Sequence, residues 1–327
     1  MVNPLDNVLE VSNLTTHLVT RSGVSAAVDG VSFSVRRNST FGLVGESGSG
    51  KSVTCLSIMN LLPPNGRVTG GSIRFNGEEL TTKSRSEMNG LRGRRISMIL
   101  QDPMTSLNPL FTVGDQVGEM FRSDGRSVRV KDRVVDALRR VRIPAPEQRL
   151  RNYPHQLSGG MRQRVSIAMN IARVPDLLLA DEPTTALDVT IQLQILQLLR
   201  AIQAESGMSI VFVTHNLHVV AKFCDEMAVM YAGRIVESGR VADIFRNPAH
   251  PYTRGLLAAM PHVLGKEERL SAIPGQPPSL SDLRAGCRFN PRCELATEQC
   301  RTAYPPTVGL GDRHEAACWA LAEGAAR

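Results

Sequence analysis

The chain has 327 residues, a length that suits about two domains. Hydrophobic residues at 42% and charged residues at 21% exclude wholesale disorder, and aromatics at only 4% exclude broad base-stacking platforms. The net charge of +7 admits nucleic acid, anionic lipid or phosphorylated small molecules as partners and selects none of them.

The stretch from Met1 to Leu14 has no basic n-region and no apolar h-region, so no secretory signal is expected. No run approaches the length of a transmembrane helix. Six cysteines in a long chain without a signal suggest a reducing, cytosolic compartment, where clustered thiols mean metal more often than disulfide.

In chain order, residues 8–44 read as β. Leu9–Leu14 alternates, Val28–Val35 alternates after a turn at residues 21–23, and Thr40–Val44 is a short apolar run suited to a buried strand. A Gly-rich loop follows, then an apolar helix expected over Lys51–Leu62 and ended by Pro63 and Pro64. Gly71–Gly77 is a strand and turn, and Ile96–Leu100 another strand. From about 106 to 157 the chain turns Arg-rich with helical spacing at Val130, Val134, Val135 and Leu138, which predicts a helical insertion. A helix continues over Val165–Ile171 after Gly159 and Gly160. Leu177–Ala180 and Ser209–Val213 are buried strands flanking an amphipathic helix over Ile191–Ile202. Alternating strands and helices imply a largely parallel sheet covered on both faces. Beyond about 240 the chain becomes Pro-rich, which suggests a separate, loop-rich appendage.

Two segments carry chemistry. Gly45, Glu46, Ser47, Gly48, Ser49, Gly50, Lys51 and Ser52 match a phosphate-binding loop between strand and helix. Glycines let backbone N–H groups converge on phosphate oxygens, and the helix N-terminus adds positive potential. Lys51 is placed to reach the β- and γ-phosphates and Ser52 to ligate Mg²⁺. Leu177–Glu182 is an apolar strand ending in two carboxylates, of which Asp181 suits Mg²⁺ and Glu182 an attacking water.

With these in place, the chain resembles the ATP-binding cassette (ABC) ATPases. Leu157-Ser158-Gly159-Gly160, followed by Gln163 and Arg164, looks like their signature motif. Gln101 looks like the Q-loop glutamine, Ala186-Leu187-Asp188 like the D-loop, and Thr214-His215 like the switch histidine. Five motifs in order make the likeness specific. It implies a RecA-like parallel sheet core with an N-terminal antiparallel β subdomain and a helical insertion over about 106–165. It also implies a head-to-tail pair of nucleotide domains, with Ser158, Gly159 and Gly160 on the γ-phosphate of the partner's ATP. Glu182 is then the general base, His215 the group that holds the γ-phosphate in register, and Gln101 the γ-phosphate sensor and a further Mg²⁺ contact beside Ser52 and Asp181. Two departures stand out. Leu18 falls where relatives carry an adenine-stacking aromatic, which implies aliphatic packing of the base. Asn216 stands where relatives often have Asp.

The text from Gln101 to Pro109, Tyr153–Ser158 and Asp243–Thr253 is similar to the dipeptide and oligopeptide importer branch, as is the tail with Cys287, Cys293, Cys300, Pro305, Pro306 and Cys318. The resemblance covers about residues 8–320. It divides the chain into an α/β ATPase domain over 1–240 and a C-terminal, loop-rich, Cys-containing extension of the oligopeptide-transporter type over 241–327. The cysteine gaps of five, six and seventeen residues are unlike the short gaps of zinc ribbons, while four thiolates suit an iron–sulfur cluster. The resemblance tips the reading to a [4Fe–4S] cluster, with zinc or no metal as the alternatives. Cys55 and Cys224 read as buried small hydrophobes.

The family resemblance implies an ATP-hydrolysing subunit that powers peptide uptake, bound to the cytoplasmic face of a bacterial plasma membrane as a peripheral protein. The implied partners are two transmembrane permeases, an extracytoplasmic solute-binding protein and a second, homologous ATPase, with no nucleic acid. A nickel importer of the same branch is the alternative. A soluble ATPase acting on DNA or ribosomes is disfavoured, because the interval between Gln101 and Ser158 has no room for long coiled coils and only one phosphate loop occurs.

Overall fold

The computed structural model describes residues 6–20, 23–101, 106–122, 129–185, 187–260, 273–279, 283 and 285–324. The expected turn at residues 21–23, residues 102–105 after Gln101, and Ala186 of the expected D-loop lie wholly or partly outside them. The chain divides into two compact units. One comprises Met1–Lys83 with Phe212–Arg327, the other Ser84–Val211.

The first unit opens with the long strands β1 (Asn7–Thr20) and β2 (Gly23–Arg36), paired antiparallel. Alternation puts Leu9 and Val11 in the core, but it does not run on to Leu14: an irregularity between Val11 and Leu14, with Asn13 at φ 50°, shifts the phase and buries Leu14 as well. β3 (Thr40–Val44) is buried at every residue, as its unbroken apolar run requires. The helix α1 (Lys51–Ile58) stops four residues short of the expected Leu62. Asn60 turns left-handed at φ 48°, and the Leu61 N–H donates back to the Leu56 carbonyl at 2.9 Å. An Asn-closed cap of this kind ends the helix before the prolines are reached. β4 (Gly66–Phe75) and β5 (Glu78–Glu79) complete a four-stranded antiparallel sheet in the order β2-β1-β4-β5.

The second unit begins with α2 (Arg85–Leu91), whose Ser84 and Glu87 form a capping box. β6 (Ile96–Ile99) follows. The Arg-rich insertion is helical, with α3 (Val113–Arg122), α4 (Val130–Arg140), α5 (Pro146–Arg149) and α6 (Gly159–Ile171). In α4, Val134, Val135 and Leu138 are buried as the spacing predicts, while Val130 is only half-buried. Arg139 is exposed, and Arg133 and Arg140 are half-buried, Arg133 lying over the Phe121 ring at 4.2 Å. β7 (Leu177–Asp181) pairs parallel with β6, and α7 (Val189–Ser206) follows, capped by Asp188 and closed by Gly207 at φ 70°. β8 (Ser209–Thr214) spans the division between the units.

The first unit resumes with α8 (Leu217–Phe223) and β9 (Glu226–Tyr231), which pairs parallel with β3. β10 (Arg234–Arg240) folds back on β9. Past residue 240 come α9 (Val241–Arg246), α10 (Pro251–Ala258), a 3-10 turn over Asn290–Arg292, α11 (Glu298–Thr302), β11 (Thr307–Gly311), β12 (His314–Ala317) and α12 (Trp319–Gly324). β12 pairs antiparallel with β10 and β11 with β12, so the Pro-rich tail extends the sheet that carries β3. One buried carboxylate secures this junction. Glu237 of β10 is wholly buried and accepts from the N–H groups of Ala249 (2.8 Å) and His250 (2.9 Å), and it pairs with His314 Nε2 at 2.8 Å.

Candidate functional site

The expected site residues fall in both units. The phosphate loop, Leu18, His215 and the four tail cysteines belong to the first; Gln101, Ser158–Gly160, Asp181 and Glu182 belong to the second.

The loop from Gly45 to Gly50 is shaped by backbone that only glycine tolerates. Gly45, Gly48 and Gly50 have φ of 155°, 78° and 101°. A Cβ on Gly45 would stand 2.1 Å from the Met230 carbonyl oxygen, and one on Gly50 would stand 2.5 Å from that of Ala27. Lys51, only 5% exposed, curls its ammonium back over the loop. Nζ donates to the carbonyls of Gly45 (2.8 Å) and Glu46 (2.9 Å) and to Ser49 Oγ (3.3 Å). A fixed cation in a cradle that a Cβ would fill fits a polyphosphate. Ser52 follows, half-buried, and Ser47 and Gly48 are exposed at the loop's tip.

Leu18 lies near the end of β1, half-buried, with Cδ2 3.0 Å from where a Cβ on Gly66 would stand. His215 is exposed just beyond β8. Asn216 caps α8, its side chain accepting from the His218 N–H at 3.0 Å, a role Asn fills as well as Asp.

In the second unit Asp181 ends β7, 5% exposed. Glu182 sits at φ 45°, a left-handed conformation that a non-glycine residue adopts only when its surroundings hold it there. Its Oε2 accepts from Gln101 Nε2 at 3.1 Å and from Thr185 Oγ1 at 2.7 Å. Gln101 and Glu182 are thus brought together across 81 positions. Thr185 was not among the expected residues. Its position three residues after Glu182, as in a turn, was the available signal. Ser158 caps α6, with Oγ accepting from the Met161 N–H at 3.3 Å, and no acidic side chain occupies that helix's first turn. Gly160 is also required by packing, since a Cβ there would stand 2.8 Å from Ile191 Cγ2.

Cys287, Cys293, Cys300 and Cys318 all line one cavity of about 50 Å³, with His250, Phe289 and Trp319 among its walls. Burial pushes the Cys287 thiol up to about 11, with its cysteine neighbours adding to the rise, and raises Cys293 and Cys318 as well. Burial lowers His250 to about 3, so its imidazole is neutral. The four thiols match a metal or cluster in donor type and number. They do not match it in geometry: no group of three or more His, Cys, Asp or Glu among the described residues is arranged to hold a metal ion. The expected cluster therefore finds its ligands gathered in one cavity but not in ligating array. Cys55 and Cys224 are buried, as expected of small hydrophobes.

A buried lysine in a glycine cradle in one unit, and in the other a buried Asp followed by a hydrogen-bonded Glu, are the features a phosphate-loop ATPase carries. The comparisons agree. Residues 28–185 match the ABC transporter family, and residues 236–300 match the oligopeptide/dipeptide transporter C-terminal region. The dipeptide transport ATP-binding protein DppD of Bacillus subtilis is 49% identical over 96% of this chain and 95% of its own. DppD of Escherichia coli is 47% identical over 95% of each. Among solved structures, the ATP-binding cassette MJ0796, a dimer bound to ADP and Pi, superposes with a TM-score of 0.64 at 26% identity, covering 71% of this chain and 98% of that one. The chain belongs to the ABC transporter family, among the ATP-binding subunits that carry the oligopeptide/dipeptide C-terminal region. It is an ATPase, and Mg²⁺ is expected with its nucleotide. No helix among the described residues is long and apolar enough to cross a membrane.

Proposed function

We propose that this subunit hydrolyses ATP to drive uptake of dipeptides or oligopeptides. It works as a peripheral protein on the cytoplasmic face of a bacterial plasma membrane, beside two permeases, a solute-binding protein and a second ATPase. The cargo reading is supported by near-complete coverage of two dipeptide transport ATP-binding proteins and by the C-terminal region match. The nickel alternative has no such support among these relatives.

The observation that carries the chemistry is the Glu182 carboxylate, steered by Gln101 and Thr185. Glu182 orients and deprotonates the attacking water, and Gln101 reports the γ-phosphate. Gly45, Glu46, Ser47, Gly48, Ser49 and Gly50 supply the loop, and Lys51 neutralises phosphate charge. Ser52, Asp181 and Gln101 would hold Mg²⁺, which would supply Lewis-acid stabilisation of phosphate charge. His215 fixes the γ-phosphate, while Ser158, Gly159 and Gly160 serve the partner's nucleotide from the first turn of α6. Leu18 packs on the base. The ATPase part comprises residues 1–240 and the extension 241–327.

Glu182→Gln tests the chemistry. ATP binding should persist while phosphate release falls by a factor on the order of 10² or more. Unchanged turnover would refute the assignment. For the cargo, a strain lacking this chain should lose uptake of labelled dipeptide. Loss of nickel uptake instead would establish the alternative. For the tail, iron and acid-labile sulfide in anaerobically purified protein would support a [4Fe–4S] site, zinc would replace it with a zinc site, and neither would leave the thiols structural.

A further inference from the structure

The phosphate loop is not held by the nucleotide fold alone. Every polar group of Glu46, its second residue, is engaged. Its carbonyl accepts from Lys51 Nζ (2.9 Å) and from the Ser49 N–H (3.2 Å). Its backbone N–H donates to the Tyr252 hydroxyl at 2.9 Å. Its carboxylate takes a two-pronged bond from Arg292, with Nη1 to Oε2 at 2.7 Å and Nη2 to Oε1 at 3.1 Å. The last two partners belong to the C-terminal segment, 206 and 246 positions away.

Both partners are rigidly mounted. Tyr252 is wholly buried in α10 and packs edge-on against Tyr231, with ring centroids 4.6 Å apart. Phe289 completes the aromatic cluster, 5.2 Å from Tyr231 and 5.4 Å from Tyr252. The Arg292 side chain is 5% exposed. Its Nε donates to the Pro274 carbonyl at 2.8 Å, and Nη1 also reaches the Tyr231 hydroxyl at 3.3 Å. The short span from Cys287 to Cys293 is fastened at its other end as well, where Arg288 pairs with Asp29 of β2 and donates to the Ala232 carbonyl. This span therefore bridges β2 and the phosphate loop.

We propose that Tyr252 and Arg292 are positioning residues of the nucleotide site, which preset the phosphate loop by fixing Glu46. The inference rests on the ATP reading of that loop and deepens it by making the C-terminal segment part of the site. A loop with three glycines at positive φ loses much conformational entropy when it closes on phosphate. The three bonds that Tyr252 and Arg292 make to Glu46 offset part of that cost in advance, so nucleotide binds to a loop already set. The buried fork of Arg292 is suited to this, because a charge-assisted bidentate bond fixes both distance and orientation. Neither residue touches the reacting atoms in this scheme, so the effect falls on binding and spares the chemical step.

The test uses the full-length chain with Tyr252→Phe, Arg292→Lys and Arg292→Gln. A fluorescent ATP analogue is titrated with MgATP as competitor, and KM and kcat come from phosphate release. Tyr252→Phe keeps the ring packing and removes only the acceptor for the Glu46 N–H. Each variant is expected to raise Kd and KM roughly five- to tenfold, with kcat at saturating ATP largely retained and Arg292→Lys milder than Arg292→Gln. In Glu46→Gln, the further effect of Arg292→Gln should shrink, since the two share one interaction. Unchanged KM in Tyr252→Phe and Arg292→Lys, in a chain that binds ATP, overturns the proposal and leaves the ATP reading standing. A lowered unfolding midpoint and kcat with KM unmoved assigns a purely structural role and also overturns it. Failure of the unaltered chain to bind ATP removes the ATP reading itself, and the proposal with it.

Discussion

Replacing Glu237 by Gln keeps the shape of a wholly buried side chain and removes its charge. The carboxylate meets three donors: the N–H groups of Ala249 and His250 and the Nε2 of His314. Oε1 serves Ala249 and His314, and Oε2 serves His250. An amide oxygen can take over only one of these positions. With oxygen at the first, the amide NH₂ faces the His250 N–H, donor against donor. One orphaned buried donor costs about 1–3 kcal/mol, and loss of charge assistance on the other two adds up to about 1 kcal/mol each. The sum is about 1–5 kcal/mol, which for a unit of this size lowers the thermal midpoint by roughly 2–20 °C. Because Glu237 joins β10 to both β12 and the start of α10, the tail should also become sensitive to limited proteolysis. Thermal unfolding followed by circular dichroism, with digestion at a temperature well below the midpoint, measures both effects. A midpoint within about 1 °C of the parent chain and an unchanged digest would refute the reasoning, since they would mean that Gln satisfies all three donors.

Other substitutions probe separate links. Gly45→Ala should abolish nucleotide binding and destabilise the chain, because its Cβ would lie 2.1 Å from a backbone oxygen that cannot swing away; MgATP titration of the folded fraction is the check. Glu79→Gln should flatten the acid limb of stability. Burial raises the Glu79 carboxyl, but bonds from Ser72, Thr81 and the Ile73 N–H outweigh it and hold the group at about 2 against an ordinary 4.5. A depressed carboxyl stabilises the fold above its unfolded value, and that stability is lost as pH falls from about 4.5 through 2. Acid unfolding of Glu79→Gln should therefore show a shallower loss in that window, and an identical profile would count against these bonds. Thr185→Val should lower kcat more than it shifts KM, because it removes a bond that steers the Glu182 carboxylate; steady-state phosphate release separates the two.

The motifs were legible in the linear chain because each is local. A phosphate loop needs only a strand, three glycines, a lysine and a helix in immediate succession, and eight adjacent residues specify it. The alternating strands and the Val134, Val135 and Leu138 stripe were readable for the same reason, since their periods are set by neighbours on one element. The end of α1 was misjudged because Asn60, itself a weak local signal, acted before the more conspicuous prolines.

Long-range pairing was another matter. Spacing along the chain suggested that four cysteines belong together, but only packing gathers them into one cavity and leaves them out of ligating array. Sequence named Gln101 and Glu182 separately, and folding put a hydrogen bond between them and turned Glu182 to φ 45°. The tail read as an appendage because its prolines and loops carry no periodic pattern; the structure gives it β11 and β12 on the edge of the sheet. Arg292 and Glu46 had no sequence signal linking them. Their meeting depends on where β9, α10 and the Cys287–Cys293 span pack, and a contact spanning 246 positions is decided by that packing and not by any local preference.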